Sequence, residues 1–317
     1  AQMAAREIGK TPDHVPLYVS EAALAADAIV PINRIKPHTK FRADIESGLC
    51  KMLTIGLGKD AGAAVFHRCA VARSFTIITS AAAVLLERLS LLFGIALMED
   101  GRGQLTKIRA LLPAELIAAE KDLLREAYDM MGRIPWDHLD LLVVDRIGKD
   151  ISGIGMDSNV TGRHRDITGD FANPPNPRRI FVRELSADSD GNANGIGLAD
   201  VTTARLVSRI DREKTAVNAV TAISPEKAAI PIHFDADRRC LEVCLQTAGV
   251  ESWGRARVVR IRDTASLEYL EVSRCLETEI DPGASVRRVT PWHSWAFDAS
   301  GNLLPFYPEH SDGRIYR

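Results

Sequence analysis

Along this 317-residue chain the apolar positions fall into short blocks, some with the spacing of helices and some with that of strands. Residues 21–26 read as a short helix and 28–32 (AIVPI) as a buried strand, ending in a polar loop that carries Lys36, Pro37 and His38. The pattern predicts a helix over 49–55, then a turn punctuated by Gly56, Gly58 and Gly62. A long apolar helix over 75–92 and a strand over 94–98 follow. Pro113 suits the first turn of an amphipathic helix running to about Met131, because a helix does not use the N–H that proline lacks there. Pro135 and the polar turn WDHLD mark a domain boundary, after which a new buried strand starts at 141–144. Loops are predicted at 170–178 and 186–197, helices at 200–210 and 237–247, and strands at 256–261 and 267–272. This alternation favours an α/β class: two α/β domains with a cleft between them and largely parallel sheets.

Length and composition narrow the function. The chain is long enough for two cores, and its 46% hydrophobic and 26% charged residues are ordinary for a soluble globular protein. Net charge is -2 with both signs spread along the sequence, so neither nucleic acid nor a membrane surface finds a basic patch. The longest apolar stretch, 89–98, is too short to span a bilayer, and no signal-peptide pattern opens the chain. Five cysteines are odd in number; Cys240 and Cys244 lie one helical turn apart without a second pair or a nearby histidine. They read as packing residues of a reduced, cytoplasmic protein. A homo-oligomer stays open.

The chemistry concentrates in residues 33–67, NRIKPHTKFRADIESGLCKMLTIGLGKDAGAAVFH. His38 follows a strand, where α/β folds place ligands, and a near-neutral imidazole is a natural proton acceptor for a hydroxyl; a surface histidine in a polar loop is the plainer reading. Lys51 has mostly small or apolar neighbours. There it either snorkels or, when partly buried, loses its charge readily and becomes a nucleophile able to carry a covalent cofactor. His67, sixteen residues on and on a predicted helix, is of a type that suits nickel, copper, iron or zinc, or simply packs. The run GLGKDAG matches neither the P-loop nor the dinucleotide fingerprint, yet a turn at Gly56 and Gly58 suits a ligand's phosphate. In the second half, DRIGKDISGIGMDSN is either a structural turn or a site where Lys149 meets a carboxylate or phosphate and Asp150 or Asp157 orients a hydroxyl. Arg163 and His164 read as site residues or a solvated loop, and Trp292, His293 and Trp295 as a pocket wall or core.

The run from NRIKPH through ESGLCKM to IGLGKDAGA and His67 resembles the nickel-pincer lactate racemase family, strongly over about residues 15–70 and more loosely to the chain end. The resemblance implies that Lys51 holds a nickel-pincer nucleotide (a pyridinium-3,5-bisthiocarboxylic acid mononucleotide carrying Ni) through a thioamide bond. It likewise makes His67 the nickel ligand and His38 one of two acid/base histidines. The implied activity is racemisation or epimerisation of a small 2-hydroxy acid by hydride transfer coupled to proton transfer. The implied organisation is a cofactor-carrying domain over 1–137, a second α/β domain over 138–298 and a tail over 299–317 returning to the first. KPHTKFRADIESGL stands where lactate enzymes have a loop richer in glycine and phenylalanine, which places the chain with homologues acting on other substrates. The family's Asp-x-Thr-Arg-Pro motif and its other acid/base histidine lie upstream of residue 1, and the sequence is expected to be the downstream part of a longer protein. Three other readings remain. Lys51 forms a Schiff base with pyridoxal phosphate, the chain is a nicotinamide dehydrogenase, or it binds a metal, cofactor or small acid without catalysis.

Overall fold

The computed structural model describes residues 4–73, 75–165, 173–280 and 286–306, and the chain divides into two compact units after Met131. It is an α/β protein. In the first unit, β1 (Ala5–Lys10) and β2 (Pro16–Ser20) form an antiparallel pair, followed by the short helix α1 (Glu21–Leu24). A second sheet has the order β3–β4–β5, from Ile32–Arg34, Gly94–Glu99 and Leu105–Leu111; β3 and β4 are parallel, β4 and β5 antiparallel. The buried strand expected over 28–32 starts only at Ile32, and Ile32 is exposed. Pro31 has no N–H to give a ladder, and the strand begins after it, at the edge of the sheet.

Helices supply the rest of this unit. α2 (Leu49–Lys51) passes directly into a π-helical turn, Met52–Gly56, and α3 (Lys59–Arg73) and α4 (Ile77–Arg88) follow. α5 (Leu116–Met130) buries Leu116, Leu123, Leu124 and Ala127 on one stripe, the helical period that the sequence shows. These side chains join Leu17, Val19, Ile35, Leu49, Leu53, Phe66, Ile78, Leu85 and Met98 in one core.

The second unit is built on a six-stranded sheet. Its strands are β6 (His138–Ile147), β7 (Asn176–Leu185), β8 (Val201–Thr203), β9 (Ile232–Phe234), β10 (Val258–Ile261) and β11 (Glu271–Val272). Their order is β11–β10–β6–β7–β8–β9, parallel except for β11. The helices of this unit are α6 (Ser158–Thr161), α7 (Ala204–Ser208), α8 (Arg212–Thr221) and α9 (Asp237–Thr247). The helix expected over 200–210 gives up its first residues to β8. Thr202 and Thr203 donate their hydroxyls to the Val182 and Arg183 carbonyls of β7, and Thr203 also caps α7 by accepting from Leu206 N. Sheet pairing overrides helical periodicity here. The loop expected over 170–178 becomes strand from Asn176, and residues 170–172 lie outside the described ones.

The described part of the tail expected to return to the first domain is held in the second unit, through Asn302, Leu303 and Leu304. Trp295 donates its indole N–H to Glu271 at 2.8 Å. All five cysteines are free thiols, with Cys50, Cys240 and Cys244 buried. Among the described residues no helix is long and apolar enough to cross a membrane.

Candidate functional site

Residues 36–47 form a loop closed at its neck, where Lys36 N donates to the Ser47 carbonyl at 3.0 Å. Asn33 Nδ2 adds a bond of 2.8 Å to the Gly48 carbonyl, pinning the end of β3 to the start of α2. Inside the loop lies Glu46, only 1% exposed. Its Oε2 accepts from His38 N at 2.6 Å, its Oε1 accepts from Ala43 N at 3.1 Å, and the Tyr128 hydroxyl of α5 donates to both oxygens at 2.9 and 3.0 Å. Arg42 stands 3.9 Å away, with its guanidinium 5.2 Å from the centre of the Tyr128 ring. Burial pushes the Glu46 carboxyl above the usual range, while these donors act in the opposite direction.

His38 is fixed by this scaffold. Its ring stacks on Phe41 at 4.3 Å, and Phe41 stacks on Phe75 at 4.0 Å. His67, on α3, meets the same Phe75 edge-on at 6.2 Å, so the two histidines share one aromatic column. Such ring pairs are worth about 0.5–1.5 kcal/mol each beyond simple burial. Lys40 N donates to His38 Nδ1 at 3.1 Å, which puts the proton of the neutral imidazole on Nε2. In this form Nε2 carries the N–H and is the donor atom of the ring.

Lys51 ends α2, where the backbone widens into the π-helical turn, a feature frequent at functional sites. Its stem keeps some solvent contact, but desolvation, reinforced by the neighbouring Lys36 charge and opposed by Glu46, brings the amine down to about 8. A lysine near that value holds a substantial neutral fraction close to neutral pH, as a nucleophile requires.

The N-terminus of α2 is capped from a distance by Glu120 of α5. Its Oε2 accepts from Cys50 N at 2.9 Å, while its Oε1 is buried and accepts no hydrogen bond. Burial raises this carboxyl to about 7, against the backbone bonds that favour its ionised form. The folded value lies above the unfolded one, so this group contributes stability that is present below about 4.5 and lost as pH rises through 7. Glu120→Gln is therefore expected to flatten the fall in stability between pH 5 and 8, read by urea unfolding at stepped pH. An unchanged slope would contradict the assignment.

Of the glycines expected to hold a phosphate, Gly56 ends the π-helical turn and Gly58 follows it. A side chain at Gly58 would lie 2.9 Å from the backbone of Thr54 and of Gly62, so close packing by itself requires glycine there. At Gly56 the nearest atom is the flexible Met52 sulfur. Gly62 belongs to α3 rather than to the turn.

Lys149, Asp150 and Asp157 belong to the second unit, on the loop after β6. That strand is the point from which the chain builds the sheet in both directions, a position where α/β sheets bind ligands beyond their carboxyl ends. Loops from three strands are laced together there. Lys149 N donates to Ser189 Oγ, Ser186 Oγ donates to Asp150, and Asp157 N donates to Thr264 Oγ1. Asp157 also caps α6 by accepting from Asn159 N at 2.8 Å. Lys149 Nζ donates to the Gly153 carbonyl at 2.6 Å, and burial lowers its pKa. Arg163 pairs with Asp200 at 3.0 Å.

No protein-family model matches the chain, and no curated protein matches it. Among solved structures it is similar to the lactate racemase apoprotein from Thermoanaerobacterium thermosaccharolyticum, with 16% sequence identity and a TM-score of 0.47, over 83% of this chain and 67% of that one.

Sequence reasoning missed Glu46, Tyr128 and Glu120. Glu120 left a signal, since it interrupts the apolar stripe of α5 between Leu116 and Leu123. Glu46 left none, being one more charge in a polar loop.

Proposed function

We propose that the chain is a 2-hydroxy acid racemase or epimerase that carries a nickel-pincer nucleotide on Lys51. The observation that carries this reading is the desolvated Lys51 amine, at about 8, at the junction of an α-helical and a π-helical turn. A neutral amine is what a covalent tether needs. Among the described residues no three His, Cys, Asp or Glu side chains come together to hold a metal, so a nickel ion here would take most of its ligands from an organic group and one imidazole from His67. That donor set fits a metal delivered within a cofactor.

The proton beside a carboxylate is too weakly acidic for simple abstraction to serve a lactate-like molecule. When bound, such a cofactor supplies an electron-poor ring that accepts hydride from the hydroxyl-bearing carbon. The chain's residues would orient the substrate and meet its charge. His38 would donate a hydrogen bond from its Nε2–H to the substrate oxygen without giving up the proton, and the stack on Phe41 would hold the ring plane. Lys36, close enough to act on Lys51 electrostatically, favours an anionic substrate or nucleotide at the same place. The cytoplasmic setting belongs to the same proposal and rests on the sequence.

The test is to purify the full-length protein from cells that make the cofactor and to measure intact mass and bound nickel. Expected are a mass increment mapping to Lys51 and about one nickel per chain, lost in His67→Ala. Unmodified, nickel-free protein from cells that load a known racemase sinks the reading. The same amine also suits a Schiff base with pyridoxal phosphate, which borohydride trapping would reveal.

A further inference from the structure

We propose that Glu46 is a positioning residue: its carboxylate gathers the His38 and Ala43 amides and the Tyr128 hydroxyl, and so fixes the loop that presents His38 and leads into Lys51. The inference rests on the reading of Lys51 and His38 given above. Two amides five residues apart converge on one side chain, and the hydroxyl that completes its shell comes from a helix far along the chain. Both carboxylate oxygens accept backbone N–H groups. An amide side chain has only one acceptor oxygen, so glutamine would leave the His38 or the Ala43 N–H facing another donor. The pocket therefore selects a carboxylate, although burying one is costly.

Geometry links this carboxylate to the chemistry in two ways. It holds the His38 backbone at the residue whose ring accepts the Lys40 N–H, so the loop conformation and the ring tautomer depend on each other. Its charge also acts on Lys51, in the direction opposite to that of Lys36. The other charged or titratable groups around it are Arg42 and Tyr128. A side chain serving only to close the loop, without a charge, would leave the lysine charge unaffected.

The experiment uses the full chain without cofactor and two readouts. One is the His38 tautomer, from nitrogen-15 NMR. The other is the pH midpoint of Lys51 acylation by a small amine-selective reagent, from peptide mass spectrometry. Glu46→Gln is expected to mix the two His38 tautomers and to lower the Lys51 midpoint by about half a unit, which is about threefold in amine reactivity at pH 7. Tyr128→Phe, which keeps the carboxylate and removes one donor, is expected to mix the His38 tautomers less and to leave the Lys51 midpoint near its wild-type value. Asp44→Asn removes an exposed carboxylate of the same loop that pairs with Lys121, and should change neither. The inference is overturned if Glu46→Gln and Tyr128→Phe both melt cooperatively with His38 and Lys51 behaving as in the wild type. If Glu46→Gln does not fold, Tyr128→Phe decides alone. Failure of the wild type to load cofactor would overturn the proposed function without altering either readout.

Discussion

At pH 7, a small acylating reagent is expected to modify Lys51 far faster than a solvent-exposed lysine, with a rate midpoint near 8. An amine titrating there has roughly three hundred times more neutral form at pH 7 than one at the ordinary lysine value, and the neutral form is the nucleophile. Burial is the main cause, with Lys36 adding to it. The same shift affects stability. The folded value lies below the unfolded one, so the penalty for keeping Lys51 charged acts in full below about 8 and fades as pH rises towards the unfolded lysine range. Lys51→Met should therefore stabilise the chain most at pH 7 and below, and its advantage should shrink above pH 8. Peptide mass spectrometry after brief acylation, repeated from pH 6 to 10, measures the midpoint. A midpoint above 10 would remove the main support for a tethered cofactor.

Asp237→Ala is expected to destabilise the second unit by about 3–5 kcal/mol, the usual effect of leaving buried partners of an ion pair uncompensated. Asp237, 0% exposed at the start of α9, accepts from Arg183 at 2.9 Å, from Arg205, and from Leu303 N at 2.9 Å. Arg183 continues to Asp145 at 2.9 Å, and Asp145 to Arg260 at 2.7 Å. Arg260 reaches Glu271 at 2.9 Å. These side chains also hold the tail, since Arg183 donates to the Leu303 carbonyl, Arg205 to Asn302 and Arg260 to the Leu304 carbonyl. Arg239→Ala, on the exposed face of the same helix beside Glu242, should stay within about 0.5 kcal/mol. Urea unfolding of both variants makes the comparison, and a small loss in Asp237→Ala would mean that the tail and sheet hold without the ionic chain.

Elements with strong local signals were legible in the sequence. The α5 stripe, the helix over Asp237–Thr247 and the apolar runs within β6 and β10 each carry their burial pattern in their own residues. A helix over 49–55 was legible for the same reason, although only Leu49–Lys51 is α-helical and Met52–Gly56 is a π-helical turn. β5, exposed along nearly all its length, and β8, three residues long, exist through pairing with neighbours and have little local pattern to read. Two partners of the site, Tyr128 and Glu120, come from a helix some 70–80 positions along the chain.

The sequence by itself determined the α/β class, the helix that bears Lys51, and a loop crowded with His38, Lys36 and Lys40. Those properties follow from composition and from spacing along one stretch of chain. Only the tertiary structure decided that Glu46 closes that loop, that His38 carries its proton on Nε2, and that His38 and His67 share the Phe75 ring. It also decided that the Lys51 amine falls to about 8. Tautomers, stacking and desolvation depend on which atoms surround a group, and chain separation says little about that once the backbone has folded.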